Sequence, residues 1–165
     1  MKKALTILII LTVVLQLIYP CYMIWDKYGV LIYGEEIKML VEPIDPYDAF
    51  RGRYVSLSYP GETYPENKSG RYGILSEGED GFFYISETVS EKPEGRLYLV
   101  SEWEKSFRIP FDRYYMEETL APEAEKILND ATLKTYVTIR IKGDRAVISG
   151  LFVGDEPIEK YLTKS

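Results

Sequence analysis

The sequence predicts a mainly β (α+β) protein: an N-terminal transmembrane helix followed by a small barrel- or sandwich-like antiparallel β domain with one short helix. Three observations carry this expectation. One uncharged apolar run occupies the N-terminus, apolar residues alternate at period two through much of the remainder, and a single later segment repeats at helical spacing.

The apolar run extends from Ala4 to Trp25 without a charged side chain. At about 1.5 Å per residue it is long enough to cross a hydrocarbon core of roughly 30 Å. Thr6, Thr12 and Gln16 are tolerable there, because hydroxyl and amide groups cost far less in lipid than charges. Lys2 and Lys3 make a positive tail, which the positive-inside tendency places in the cytoplasm, with everything after Trp25 outside. Bulky Ile18, Tyr19 and Tyr22 argue against a cleaved signal peptide, and Tyr19-Pro20 before Cys21 argues against a lipid-modified cysteine. Tyr19, Tyr22 and Trp25 suit an interfacial aromatic belt. The expected organisation is a cytoplasmic tail and anchor over 1–25, a juxtamembrane linker over 26–35 and one extracytoplasmic domain over 36–165. Residues 4–25 make the bilayer itself the first partner.

All 26 Asp and Glu and 18 of the 20 Lys and Arg follow Trp25, leaving the exported part with a net charge of −8. Such a domain repels phosphate backbones, so nucleic acid is not an expected partner. A single cysteine allows no intramolecular disulfide, and packing alone must hold the core. Gln16, Asn67 and Asn129 are the sole side-chain amides, while Glu, Lys, Arg, Ile and Tyr are plentiful, a composition expected of a heat-adapted organism.

The strands follow in order. Ile37, Met39 and Val41 alternate with polar or mixed neighbours until Pro43 and Pro46 stop the run. In Tyr54 to Tyr59, Val55, Leu57 and Tyr59 share one face, and Tyr54, Ser56 and Ser58 the other. Tyr72 to Leu75 and Phe82 to Ile85 flank the turn-forming SEGEDG. Arg96 to Ser101 and Phe107 to Ile109 are further strand candidates. Val137, Ile139 and Ile141 alternate before Gly143-Asp144, a two-residue hairpin signal leading into Ala146 to Val153. The helix begins near Pro122, with Glu123 and Glu125 at its positive end and Ala124, Ile127, Leu128 and Ala131 at helical spacing.

The densest local signal is PIDPYDAFRGRYVSLSY, from Pro43 to Tyr59. Asp45-Pro46 and Asp48 suit a turn, Gly52 a bulge or left-handed position, and Arg51 and Arg53 stand within reach of carboxylates or aromatic rings. This stretch resembles the GDYxxLxY family of membrane-anchored proteins, with Gly52, Tyr54, Leu57 and Tyr59 at the named positions. Pro43, Asp45, Pro46, Asp48 and Arg51 match the lead-in, and Asp112-Arg113-Tyr114 with Met116-Glu117 resembles a second stretch. The Ala146 to Pro157 hairpin is similar to the family's endings. Two positions depart: Arg53 stands in place of the motif's aspartate, and Tyr47 in place of a common arginine. A swapped ion pair or a solvent-facing position accounts for the reversed charge. The resemblance brings no established activity, and the family's frequent encoding beside polytopic membrane proteins implies a membrane-embedded partner.

Chemistry-bearing patterns are sparse. The chain has no histidine, which removes the Ser-His-Asp triad, the Cys-His dyad and imidazole-bound zinc. Ser56 or Ser58 with Lys68 or Lys105 is the formal Ser-Lys arrangement, but outward serines on a strand are ordinarily solvated. Asp45 and Asp48 are the carboxylate pair of a hydrolase reading, or with Glu42 a calcium set; turn-making competes with both. Glu77, Glu79 and Asp80 lack EF-hand spacing. Asn67-Lys68-Ser69 matches a glycosylation acceptor. Neither a metal nor a cofactor is expected. The 15 tyrosines suit strands and also binding surfaces. The leading expectation is an extracytoplasmic accessory or binding module. Its motif surface comprises Asp45, Asp48, Arg51, Gly52, Arg53, Tyr54, Leu57, Tyr59, Arg113 and Tyr114, and its partner is a polytopic membrane or envelope protein. The rival is a hydrolase using Asp45 and Asp48.

Overall fold

A computed structural model describes residues 2–42, 54–65, 67–103, 106–117, 119–128 and 132–164. The chain runs α1 (Lys2–Tyr33), β1 (Glu35–Leu40), β2 (Tyr54–Ser56), β3 (Tyr72–Glu77), β4 (Phe83–Val89), β5 (Tyr98–Val100), β6 (Arg113–Tyr115), α2 (Ala121–Leu128), β7 (Thr135–Lys142), β8 (Arg145–Val153), β9 (Glu156–Pro157) and α3 (Ile158–Leu162). All strand pairs are antiparallel.

Helix α1 is long and apolar enough to span a bilayer over Leu5–Tyr33. Its apolar side chains from Leu5 to Trp25 face outward rather than into the domain. The helix continues through Tyr33, so most of the stretch 26–35, expected as a linker, is helical. Tertiary contact explains the difference. Val30 is 1% exposed, the Arg145 guanidinium pairs with Asp26, and the Lys142 ammonium lies 4.9 Å from the centre of the Tyr33 ring. The last two turns of the helix are thereby docked on the β7–β8 turn.

The described residues of the domain form three sheets, in the orders β1-β7-β8-β9, β4-β3-β5 and β2-β6. Among the described residues they do not close into a barrel, and the arrangement is sandwich-like. Ile37 and Met39 of β1, Val137, Ile139 and Ile141 of β7, and Leu151 of β8 line one inner face. Leu75, Ile85 and Leu99 meet them from the second sheet, with Phe107, Ala124, Leu128 and Ile158 filling the remaining core. Strand β7 is buried on both faces for most of its length: its other side carries Tyr136, stacked on Phe152 at 5.2 Å and edge-on to Phe82 at 5.3 Å. The SEGEDG turn is held by Asp80, which accepts from the Phe82 amide at 3.2 Å, while its other carboxylate oxygen stands 3.7 Å from the Lys134 ammonium.

Each long hairpin contains one bulge, and each bulge centres on a serine. Ser86 is the extra residue opposite Ile74 and Leu75, and Ser149 the extra residue opposite Thr138 and Ile139. Ser86 Oγ donates to the Ile74 carbonyl at 3.2 Å, and Ser149 Oγ bonds Thr138 Oγ1 at 2.9 Å. A bulge leaves a residue out of the ladder and sharpens the local twist, and here a hydroxyl ties that residue across to the partner strand.

Two expectations are corrected. Phe107 to Ile109 is not a strand: the Phe107 amide donates to the Lys68 carbonyl at 2.6 Å, and those of Arg108 and Ile109 go to the Ser101 and Tyr64 hydroxyls. Pro110, without a backbone donor, follows directly. Among the described residues the domain also holds a second short α-helix, α3, beside the expected one. α3 buries Ile158 and Leu162, four residues apart, after Pro157, a length too short to register as a repeat.

The junction between α1 and β1 depends on Gly34. A Cβ there would collide with the Val30 carbonyl and approach the Ile141 backbone N and O to 3.1 Å. Gly34→Ala is therefore expected to lower stability by roughly 1–3 kcal/mol. Gly29→Ala, where a Cβ meets nothing within 4 Å, should be neutral or stabilising by up to about 1 kcal/mol. Denaturant unfolding in detergent checks the pair, and equal effects at the two glycines would contradict the packing described.

Candidate functional site

Alternation along Tyr54 to Tyr59 divides the motif between two environments. Val55, Leu57 and Tyr59 are buried, whereas Tyr54, Ser56 and Ser58 are only partly so. The outward side forms a small aromatic-basic patch on the β2–β6 ladder, where Tyr54 stands opposite Tyr115 and Ser56 opposite Arg113. The Arg113 guanidinium carbon lies 4.9 Å from the Tyr54 ring centre, and Tyr115 meets Tyr54 edge-on at 5.8 Å. Tyr115 is 68% exposed. Between Arg113 and Tyr115, Tyr114 points the other way, and its hydroxyl donates to Glu159 Oε1 at 2.6 Å, fastening β6 to α3. Burial first, and the bond to Glu159 second, hold the Tyr114 phenol well above its ordinary pKa.

The inward side opens onto a cleft of about 410 Å³ lined by Leu57, Ser58, Tyr59, Tyr64, Lys68, Ser106, Phe107, Arg108, Ile109, Phe111 and Asp112. Four separate chain segments meet there. The 106–109 loop is shaped by Ser101, 1% exposed, whose Oγ accepts from the Trp103 and Arg108 amides, both at 3.1 Å. Phe107 reaches the core over Gly73, where a Cβ would stand 2.6 Å from one ring carbon and 2.9 Å from another. Tyr64 meets Phe107 edge-on, and the Lys68 ammonium lies 4.1 Å from the Tyr64 ring centre. The Tyr59 hydroxyl is buried without a hydrogen-bond partner among the described residues. Desolvation, reinforced by Tyr64 and Asp112, pushes its pKa far up, so it is a neutral O–H donor throughout the working pH range. A larger groove of about 620 Å³, along Val89 to Glu94, contains charges already paired: Arg96 with Glu87, and Lys92 with Asp144.

The structure thus brings Tyr54 and Arg113 together on the surface and sends Leu57, Tyr59 and Tyr114 inward. Asp45, Asp48, Arg51, Gly52 and Arg53 lie outside the described residues, as does the hydrolase reading that rests on the two aspartates. Ser58 and Lys68 share the cleft, but the lysine is placed over the Tyr64 ring rather than bonded to a serine. Among the described residues no group of three or more His, Cys, Asp or Glu is placed to hold a metal ion. Phe107 and Arg108 escaped the sequence reading as site residues because nothing local connects them to the motif, and Lys68 entered it only through the Ser-Lys arrangement; the alternation that turned Tyr59 inward was the one usable signal.

Fold and motif together define a small antiparallel β domain carried on one long apolar helix, with Tyr54–Ser56 of its motif on a β ladder. A family described as GDYXXLXY protein matches residues 16–151, and the chain belongs to that family. No curated protein and no solved structure matches it.

Tyr59 and Tyr114 both bind their phenolic protons more tightly in the folded state than in the unfolded one. The stability this contributes is complete below the unfolded tyrosine pKa of about 10 and is lost as pH rises beyond it. Tyr59→Phe should raise stability at neutral pH by roughly 1 kcal/mol, since it deletes an unpaired buried hydroxyl, and should flatten the alkaline decline. Thermal melts across the neutral and alkaline range test this; a lowered melting temperature at neutral pH would mean that the hydroxyl is partnered.

Proposed function

We propose that this protein is a non-enzymatic accessory module, held in a membrane by α1 and docked onto a polytopic membrane or envelope protein through the outward face of its motif. The observation that carries the reading is the Tyr54–Arg113–Tyr115 patch. Tyrosine supplies large contact area with few rotatable bonds, and tyrosine and arginine are both enriched among the residues that dominate interface energetics. Here the guanidinium and both rings are ordered against one another before any partner arrives, which reduces the entropy lost on binding.

The docking of α1 against the β7–β8 turn supports the same reading. About 20 residues cross a hydrocarbon core, so the last eight or so of α1 rise roughly 12 Å beyond it. Because those turns are packed on the domain, the patch is presented at a set height and angle rather than on a loose tether. The positive tail of Lys2 and Lys3 favours an extracytoplasmic domain.

Replacing Tyr54 and Arg113 together by alanine should weaken association by at least about 2 kcal/mol, roughly thirtyfold in Kd. Pull-down from native membranes in mild detergent, with cross-linking and mass spectrometry, reads this out. Undiminished recovery of every wild-type partner by a folded double variant would sink the reading.

A further inference from the structure

The cleft on the inward side of the motif has no place in the docking role above, and its chemistry is specific. We propose that it is a binding site for a small amphipathic monoanion, a carboxylate borne on an apolar or aromatic body. The site is independent of the surface patch, because Tyr54 and Tyr59 project from opposite faces of the same extended segment.

Three features define the ligand. The first is charge. Lys68 and Arg108 line the cleft, and neither pairs with a carboxylate among the described residues; they lie instead against the Tyr64 and Trp103 rings. Asp112 contributes one opposing charge and is 3.6 Å from the Arg113 guanidinium. Among the described lining residues two cations and one carboxylate leave a net charge of one, which favours a monoanion over a phosphate dianion. The second is the wall: Leu57, Phe107, Ile109 and Phe111 present carbon to whatever enters, and about 410 Å³ accommodates a small organic molecule. The third is the Tyr59 hydroxyl. Tyr59 lines the cleft with 9% of the residue exposed, its hydroxyl oxygen is itself buried so that a ligand meets it only where the lining yields, and no group among the described residues accepts its proton. Phenylalanine would fill the same space without the desolvation cost of that hydroxyl. A carboxylate oxygen is the acceptor it lacks, and a charge-assisted bond of that kind is about twice as strong as a neutral one. The Tyr64 hydroxyl accepts from the Ile109 amide at 3.3 Å, a bond that leaves its own proton available as a second donor.

The probe is phenylacetate, with phenylacetamide as its neutral counterpart, titrated into the full chain in detergent with ring-¹³C tyrosine. Saturable shifts of the Tyr59 and Tyr64 resonances, assigned from their phenylalanine variants, are expected with phenylacetate. Phenylacetamide should bind about tenfold more weakly. Tyr59→Phe should weaken phenylacetate by about tenfold while its melting temperature holds or rises. Lys68→Met and Arg108→Met, both at exposed side chains, should each weaken it severalfold with the fold intact. Absence of a saturable shift at either ring would overturn the proposal. So would an equal response to the two probes, or undiminished affinity in the Lys68→Met, Arg108→Met double variant. None of these readouts involves the Tyr54–Arg113 patch or a protein partner, so this result and the pull-down fail or succeed separately.

Discussion

The pairing of β1 with β7 is the constraint on which the rest of the molecule depends. β1 begins two residues after α1 ends, and Glu35 stands opposite Ile141. Antiparallel pairing in that register carries the β7–β8 turn back past the start of β1, directly against the last turns of α1. The Asp26–Arg145 pair, the burial of Val30 and the Lys142–Tyr33 contact all follow from this placement. At Gly34 the backbones of α1 and β7 leave no room for a Cβ. A shift of one residue would turn Ile37 and Met39 outward and move the helix off its seat.

The motif shows how one short segment serves packing and surface chemistry together. Side chains on an extended strand alternate, so a pattern with aromatic or aliphatic residues at both parities must send some inward and some outward. Leu57 and Tyr59 join the core while Tyr54 meets Arg113 on the outside. The inward tyrosine carries a buried hydroxyl without a partner among the described residues, an arrangement that costs stability relative to phenylalanine. Departures of this kind from the packing optimum concentrate where a protein binds something.

Much of the fold was legible in the sequence. The uncharged run from Ala4 to Trp25 specified an apolar helix, because length and hydropathy suffice for that inference. Period-two alternation placed Val137, Ile139 and Ile141 on one face, and Gly143-Asp144 turned the chain between β7 and β8 as expected. The inward and outward sets of Tyr54 to Tyr59 also follow from alternation alone. Illegible segments were those whose backbone is satisfied at long range. Residues 107–109 look like a strand but give their amides to Lys68, Ser101 and Tyr64, and α3 is held by two buried side chains in a helix of only five residues.

What the sequence determined by itself is therefore local: which segments are apolar, which face of each strand is buried, where the chain turns, and to which family the motif assigns it. Only the tertiary structure decided what each buried face meets. The continuation of α1 through Tyr33, the Tyr54–Arg113–Tyr115 patch and the convergence of Ser58, Tyr59, Lys68, Phe107 and Arg108 on one cleft all join residues far apart in the chain. Periodicity reports that a side chain leaves water, since that depends on the side chain's own direction. It carries no information on the partner, which is set by strand register and by how two sheets pack.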